Sequence, residues 1–247
     1  MADSNEISCK QQPTDIMEIE PIAFFKSPFA SKFGIPKQSG LAEQLRGTIV
    51  FAPKYRNADA LRGLEEFDYM WLIWEFSANR HAANSPVVRP PLLGGNTRMG
   101  VFATRSPFRP NPIGLSCVRL DRVEWATAQG PVIHVLGADL MDGTPIYDIK
   151  PYVAYADAHP DARCGFVDSH ARRELKVVIP DSFAAQFTAD ELAALRRVLA
   201  LDPRPQYHSD AGKTYGMLYA GRDVHFRVSG DTLEVVDDEG LIPPVRP

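Results

Sequence analysis

The sequence has few cysteines and no long apolar run. Its three cysteines, Cys9, Cys117 and Cys164, are odd in number and widely spaced, which fits neither a disulfide framework nor a Cys-x-x-Cys metal site. No apolar stretch approaches the ~20 residues that cross a bilayer. Residues 1–20 are acidic and polar, where a secretory signal would be basic and then apolar. These absences predict a protein of the reducing cytoplasm.

Several common active-site motifs are also missing. No G-x-G-x-x-G follows a predicted strand, so a Rossmann nucleotide site has no support. Gly212-Lys213-Thr214 resembles the end of a P-loop, but Tyr207 occupies the position of the first glycine. The six histidines do not fall at metal-ligand spacing, and there is no G-x-S-x-G elbow. We therefore expect no metal site and no ordinary hydrolase.

The chain is slightly acidic overall but locally basic. A net charge of -4 argues against a general nucleic-acid coat, because phosphate binding depends on neutralising cations. Between residues 98 and 122, however, a single acid, Asp121, is accompanied by five arginines. These are Arg98, Arg105, Arg109, Arg119 and Arg122. The sequence thus predicts a cationic surface in this region.

The apolar pattern predicts a mainly β protein of 247 residues with two domains. Short β-branched or aromatic runs are separated by Gly, Pro and Asn clusters, which is typical of an all-β barrel or sandwich. The runs are IEPIAFF, GTIVF, YMWLIWEF, MGVFAT, GLSCVRLDRV, PVIHVLG and PIYDI. We expect a disordered leader over residues 1–17, the β domain over 18–167, and a small α+β C-terminal domain over 168–247.

Three local signals refine this prediction. The apolar phase of SCVRLDRV shifts after Asp121, which favours a β-bulge there. Asp142-Gly143 lies between two apolar runs and predicts a hairpin, because both residue types tolerate positive φ. In TADELAALRRVLA, Thr188 and Glu191 have the spacing of a helix N-cap and its capping box.

Residues 102–116, FATRSPFRPNPIGLS, are unusually stiff for a connecting loop. Each of the prolines Pro107, Pro110 and Pro112 removes backbone freedom from the unfolded chain, a contribution of about 0.4 to 1 kcal/mol where the native φ is compatible. A pre-ordered loop loses less entropy when it binds a ligand. The alternative is a rigid barrel turn with solvated arginines, although simple turns seldom combine so many special residues.

Long ordered motifs identify a family resemblance. They are RMGVFATRSPFRPNPIGLS, DLMDGTPIYDIKPY, RPPLLGGN, FGIPKQSGL, and DPRPQY with GKTY. In these stretches the sequence closely resembles the TrmO family, also called TsaA-like or YaeB, whose members are S-adenosylmethionine-dependent tRNA methyltransferases built on a β-barrel. The resemblance covers nearly the whole chain from about residue 18 onward.

The resemblance implies methyl transfer to N6 of an adenosine at position 37, next to the anticodon. This adenosine already carries a threonylcarbamoyl group, and the substrates are threonine tRNAs. A homodimer is also implied, with the barrel holding the methyl donor and the second domain gripping tRNA. Two other functions stay open: a non-catalytic RNA-binding module, and a donor-dependent enzyme that acts on a small molecule.

The family motifs map donor-binding positions onto this chain. They are Lys37, Gln38, Ser39, Gly40, Ser77, Ala78, Arg105, Leu115, Asp139, Leu140, Met141 and Asp142. The planar fork of Arg105 suits the methionyl carboxylate or the ribose edge, and Leu115 would pack on the adenine. Asp142 could instead serve only in a turn, and Asp139 could be a solvated strand end. Ser77 replaces a histidine that is common in the family, so no histidine role can be transferred.

Two further groups complete the predicted site. Loss of the N6 proton would make the acylated nitrogen a better nucleophile, and the candidate bases are Asp142, Asp148 and Tyr152. The positions implied for tRNA contact are Arg109, Arg204, Tyr207, Lys213 and Tyr215. As isolated surface residues, the members of this second group could equally be solvated side chains.

Overall fold

A computed structural model describes residues 17–79, 85–169, 174–204 and 212–236. The β-strands are β1 Ala23–Lys26, β2 Arg46–Phe51, β3 Tyr69–Glu75, β4 Val87–Val88, β5 Met99–Gly100, β6 Ile113–Glu124, β7 Val132–Leu136, β8 Pro145–Pro151, β9 Lys176–Val178, β10 Tyr215–Tyr219, β11 Arg222–Ser229 and β12 Thr232–Val236. The α-helices are α1 Ala154–Asp157, α2 Asp181–Ala184 and α3 Ala189–Ala200. None of the helices in these ranges is long and apolar enough to span a membrane.

Six antiparallel strands close into a barrel in the order β1-β2-β7-β6-β3-β8. Alternate residues of each strand point inward, and Phe25, Ile49, Leu72, Val118 and Ile133 are at most 1% exposed. Closure pairs the strand edges that an open sheet would expose. The predicted mainly β fold is thus confirmed, and of the two all-β alternatives the barrel is the one observed.

Of two local predictions near β6 and β7, one is confirmed and the other is wrong. The bulge near Asp121 is confirmed, because the β6–β7 register shifts between Leu120 and Arg122. The hairpin at Asp142-Gly143 is wrong, since β7 pairs with β2 and β6 and does not pair with β8. The apolar residues before the turn form a loop, and Leu140 of this loop is buried in the barrel core at 1% exposure.

The MGVFAT run does not supply a barrel strand. Only Met99–Gly100 is extended, and it pairs with Val87–Val88 in a separate two-stranded ladder. Val101–Ala103 then forms a 3-10 turn. The run therefore leads into the proline-rich loop and adds nothing to the barrel wall.

The C-terminal part is a four-stranded sheet in the order β10-β11-β12-β9, packed against α3. Helix α3 begins with the predicted capping box, in which Thr188 and Glu191 each bond to the other's backbone N–H. Leu195 and Leu199 are fully buried beneath the sheet. The α+β prediction is confirmed; the boundaries proposed at residues 17 and 167 stay predictions, and residues 1–16 lie outside the described ranges.

The segment between β1 and β2, residues 27–45, packs into the C-terminal core rather than the barrel core. Phe29, Ala42 and Leu45 are buried there. The ring of Phe29 lies 5.2 Å from that of Tyr219 between centroids. This segment contains the PKQSGL motif, so the motif is held between the barrel and the C-terminal sheet.

Candidate functional site

The proline-rich loop is organised by its own hydrogen bonds. Thr104 Oγ1 donates to the Val101 carbonyl at 2.8 Å, and the Phe108 N–H donates to Ser106 Oγ at 3.2 Å. Arg109 Nη1 donates to the Thr104 carbonyl at 3.2 Å. Arg109, a predicted tRNA contact, thus also braces the loop. These bonds and the fixed φ of each proline give the loop a defined path into β6.

Two other segments meet this loop. Arg105 Nη1 donates to Gln38 Oε1, which links the loop to the PKQSGL motif. The Gly40 N–H donates to the Gly137 carbonyl at 2.8 Å, and Gly40 adopts a φ of +78°, where a side chain would be strained. The Ser39 N–H donates to the carboxyl of Asp139. The structure therefore brings together the predicted donor residues Gln38, Ser39, Gly40, Arg105 and Asp139.

The carboxyl of Asp139 is anchored from inside the barrel. Ser116 Oγ donates to Asp139 Oδ1 at 2.5 Å, and Trp74 Nε1 donates to Ser116 Oγ at 2.9 Å. Ser116 is 1% exposed. Burial raises the pKa of Asp139, although the hydroxyl of Ser116, the backbone N–H groups of Asp139 and Ser39, and the charge of Arg105 act in the opposite direction. The carboxyl is thus a partly buried, hydrogen-bonded group rather than a solvated strand end.

Sequence reasoning missed Ser116 and Trp74. Both lie on inward-facing positions of paired strands, and the Trp74 ring covers Gly114, where a Cβ would lie 2.4 Å from Trp74 Cε2. A signal was present, because the alternation of β6 places Ser116 on the same face as the buried Val118. A hydroxyl at an interior position requires a polar partner.

Asp142 is engaged in the turn that precedes β8. Its Oδ1 accepts a hydrogen bond from the Ser27 N–H at 3.1 Å, and its Oδ2 lies 3.7 Å from Lys26 Nζ. Its own N–H donates to the Phe29 carbonyl at 2.8 Å. These contacts agree with the alternative in which Asp142 serves turn structure.

The neighbours of Asp142 differ in what they offer a ligand. The Leu140 side chain is buried in the barrel core, so only its backbone could reach a ligand. The Met141 carbonyl accepts from Thr144 Oγ1 at 2.8 Å. Both residues therefore shape the loop that carries Asp139.

The three candidate bases do not converge. Asp142 and Tyr152 lie beyond opposite ends of the seven-residue strand β8, which is roughly 20 Å long. Tyr152 packs against Tyr69 and Trp71, with ring centroids 6.2 and 6.1 Å away. Asp148 lies between them and is paired with Lys150 at 2.9 Å. At most one of the three can act at a single reaction centre.

Leu115 and Asp148 share the outer wall of the barrel. Strand β3 lies between β6 and β8, and its residue Ile73 pairs with Leu115 of β6 on one side and with Asp148 of β8 on the other. Leu115 is 57% exposed, which is unusual for a large apolar side chain in a strand. Ser116, the next residue, faces the interior, so the Leu115 and Asp139 contacts approach β6 from opposite faces.

Ser77 and Ala78 follow the end of β3. The Ser77 N–H donates to the Glu75 carbonyl at 2.8 Å, and Ala78 is exposed. The Ser77 hydroxyl is thus carried on a tight turn next to the strand that holds Trp74. Nothing in these contacts requires a histidine at this position.

The C-terminal group of predicted tRNA contacts is only partly at the surface. Arg204 forms two bonds of 2.8 Å with the carboxylate of Asp202, and its side chain is 16% exposed. The Tyr215 ring packs in the core, 5.7 Å from Phe226, and its buried Oη has no hydrogen-bond partner among the described residues. Lys213 is exposed, with Nζ 5.4 Å above the Tyr215 ring. Tyr207 lies outside the described residues.

Asp202 connects this group to the PKQSGL motif. Burial raises the pKa of Asp202, but the hydrogen bonds and charge of Arg204 and the charge of Lys37 together hold it below its ordinary value. Lys37 is thus close enough to Asp202 for their charges to interact. The predicted donor and tRNA groups are neighbours at this point.

A groove of about 500 Å³ runs along the outer wall formed by β1, β2, β7 and β6. Its charged lining consists of Lys26, Arg46, Asp121 and Arg122. Asp121 accepts from both arginines, at 3.3 Å from Arg46 and 2.7 Å from Arg122.

Within the described ranges, no group of three or more His, Cys, Asp or Glu side chains could hold a metal ion.

Comparisons with known proteins cover both parts of the chain. Residues 24–158 match the family model of the tRNA-methyltransferase O N-terminal domain, and residues 172–239 match that of the TrmO C-terminal domain. A tRNA (adenine(37)-N6)-methyltransferase of Escherichia coli strain K12 is 41% identical over 231 residues, covering 88% of this chain and 96% of the relative. A Pseudomonas aeruginosa protein that carries the provisional name of an S-adenosylmethionine-dependent methyltransferase is 38% identical over 235 residues, covering 90% and 97%. A crystal structure of TrmO from Pseudomonas aeruginosa has a TM-score of 0.72 at 34% identity, covering 90% of this chain and 96% of that chain.

Proposed function

The chain belongs to the TrmO family of tRNA adenine-N6 methyltransferases, and from this premise we propose that its substrate is the threonylcarbamoyl-modified adenosine 37 of threonine tRNAs. The methyl donor is S-adenosylmethionine, in keeping with the name of the Pseudomonas relative. The observation that supports the donor site is the meeting of Gln38, Ser39, Gly40, Arg105 and Asp139 from three separate segments. The tRNA substrate is supported by the name of the Escherichia coli relative.

The chemistry of these five residues fits the donor. S-adenosylmethionine supplies a methyl group from a sulfonium and also presents a carboxylate, an ammonium and two ribose hydroxyls. The exposed guanidinium of Arg105 suits the carboxylate, and the carboxyl of Asp139 suits a hydroxyl or a cation. The bare Cα of Gly40 allows close approach of the backbone. Leu115 is the proposed apolar contact of the adenine.

Positioning is the main catalytic task of the chain. Methyl transfer is an in-line displacement, so holding the nucleophile, methyl and sulfur in line supplies much of the rate. The pre-ordered loop of Arg105 and the anchored carboxyl of Asp139 are suited to that task. Asp142, Asp148 and Tyr152 stay the candidates for removing the proton from N6, and Asp148 is the one that shares the outer wall with Leu115.

The proposal includes a homodimer in the cytoplasm, where tRNA is processed. Three large apolar side chains near the proline-rich loop are exposed: Phe102 at 80%, Phe108 at 46% and Ile113 at 40%. A second copy would cover them. Light scattering at micromolar concentration should give twice 27.4 kDa; a monomer that still methylates tRNA would refute the dimer.

A deletion strain tests the proposed function. Threonine tRNA isolated with and without this gene would be digested and its modified adenosines compared by mass. The methylated threonylcarbamoyl nucleoside should be present only with the gene. A non-catalytic RNA-binding module, or an enzyme acting on a small molecule, would leave the tRNA nucleosides identical in the two strains.

A further inference from the structure

The donor segment, residues 37–41, is held on two sides. On the barrel side, the Gly40 N–H donates to the Gly137 carbonyl at 2.8 Å. On the other side, Arg197 Nε of helix α3 donates to the Leu41 carbonyl at 2.8 Å. Consecutive residues of the donor segment therefore bond to different parts of the molecule, and both bonds are to its backbone.

The ends of the donor segment are also fixed by the C-terminal part. Before it, the α-carbon of Gly34 packs so closely that a Cβ would lie 2.6 Å from Met217 Sδ. After it, Ala42 and Leu45 are buried in the C-terminal core at 1% and 2% exposure. The path of the donor segment is thus set by residues of α3 and β10 as much as by the barrel.

The side chain of Arg197 is itself oriented. Its Nη1 lies 2.8 Å from Glu174 Oε1, and its side chain is 34% exposed. The guanidinium bridges the Glu174 carboxylate and the Leu41 carbonyl, a fork arrangement that lysine cannot reproduce. A cavity of about 220 Å³ lies at this junction, lined by Gly40, Leu41, Glu43, Gln44 and Arg197.

We infer that Arg197 is a positioning residue for the donor segment, so that the C-terminal part takes part in donor binding as well as in tRNA contact. The inference rests on the proposed function, in which the backbone of residues 38–40 approaches S-adenosylmethionine. Arg197 does not touch the donor in this arrangement. It holds the Leu41 carbonyl, and through it the backbone of Ser39 and Gly40, in the conformation in which their N–H groups bond to Asp139 and to the Gly137 carbonyl.

Calorimetry of the full chain with S-adenosylmethionine, in the absence of tRNA, tests the inference. Arg197→Ala should weaken donor affinity about tenfold, as expected for the loss of a charged hydrogen bond that holds the binding conformation. In steady-state assays the donor KM should rise, while kcat at saturating donor and the KM for tRNA stay at parent values. A fall in folded protein alone would lower the number of binding sites and kcat, and would not change the donor Kd.

Two controls separate positioning from stability. Glu174→Gln removes the ion pair that orients Arg197 but leaves the bond to Leu41, so it should weaken donor affinity less than Arg197→Ala does. Arg196→Ala removes the exposed neighbouring charge of the same helix and should have no effect. Parent-like donor affinity in Arg197→Ala, or an equal loss in Arg196→Ala, would overturn the inference. Failure of the parent itself to bind the donor would instead refute the proposed function.

Discussion

At the residue scale, the carboxyl of Asp139 joins the barrel interior to the loops above it. It accepts hydrogen bonds from Ser116 below and from the Ser39 backbone above, and it lies within the field of Arg105. Burial would favour its neutral form, whereas these partners favour its charged form. The balance between burial and these partners sets the charge of the carboxyl and the strength of its hydrogen bonds to the loops.

The pH dependence of stability should report this carboxyl. Because its pKa is raised in the fold above the ordinary 3.8, the folded chain binds the proton more tightly than the unfolded chain. Its stabilising contribution is therefore complete below the unfolded pKa and is lost as the pH rises through the folded pKa. The free energy of unfolding of Asp139→Asn, relative to that of the parent, should therefore increase over this pH range.

Urea unfolding at a series of pH values measures this difference. The parent and Asp139→Asn curves should separate as the pH increases from below 3.8. Curves that stay parallel across the series would show that Asp139 has the same pKa in the folded and unfolded states.

Arg105 is the residue whose loss should weaken donor binding most directly. Arg105→Ala should reduce the free energy of S-adenosylmethionine binding by about 1.5 to 3 kcal/mol, the range for a charge-assisted hydrogen bond. The fold should be intact, because Arg105 is exposed and its hydrogen-bond partner, Gln38, is itself a loop residue. Arg98→Ala, which removes an exposed arginine of the same cationic region, is the matched control for calorimetry. Unchanged affinity in Arg105→Ala would remove this residue from the donor site.

At the element scale, alternation along a strand was readable from the sequence and long-range pairing was not. Short β-branched and aromatic runs located the six barrel strands, although the MGVFAT run did not become one, and the phase shift after Asp121 located the bulge. The Asp142-Gly143 pair has the chemistry of a hairpin turn, but β8 pairs with β1 and β3 because barrel closure determines its neighbours. Ser116 and Trp74 were missed for a related reason, since their contact depends on the β3–β6 register.

The β3–β6 contact makes a specific glycine necessary. In Gly114→Ala the new Cβ would lie 2.4 Å from Trp74 Cε2, so the indole must move. We expect a loss of about 1 to 3 kcal/mol in the free energy of unfolding, the usual cost of overpacking. Moving the indole also breaks its bond to Ser116 and so disturbs Asp139.

Chemical unfolding and donor calorimetry on the same samples would measure both effects. Gly100→Ala is the matched control, because a Cβ there meets no atom within 4 Å and its φ is -58°. Equal stability of the two variants would contradict the packing role given to Gly114.

At the scale of the whole molecule, an acidic chain must present cations to bind tRNA. The net charge is -4, yet the exposed side chains Arg105 and Lys213 lie on two of the loops that carry family motifs. Lys37, a predicted donor residue, and Arg204, a predicted tRNA contact, both lower the pKa of Asp202. The sequence predicted the local excess of arginine, but it could not show that Tyr215 is a core residue or that Arg204 is paired with Asp202.

Lys213 should contribute to tRNA binding alone. Each phosphate that a lysine neutralises releases counterions, so Lys213→Ala should weaken tRNA binding and flatten the logarithmic salt slope by roughly 0.7 to 0.9. Donor affinity should be unchanged. Titrations of tRNA at several salt concentrations measure the slope; an identical slope for variant and parent would make Lys213 a solvated side chain, and a loss of donor affinity would place it in the donor site.

The most direct measurement uses purified protein, threonine tRNA that carries the threonylcarbamoyl group, and S-adenosylmethionine labelled in its methyl group. After incubation, the tRNA is digested, and its nucleosides are separated and identified by mass spectrometry. The label should appear on the threonylcarbamoyl adenosine in the parent, and Arg105→Ala should need a higher donor concentration to reach the same yield. Label that stays on the donor while the parent binds both the donor and this tRNA would contradict the assigned reaction.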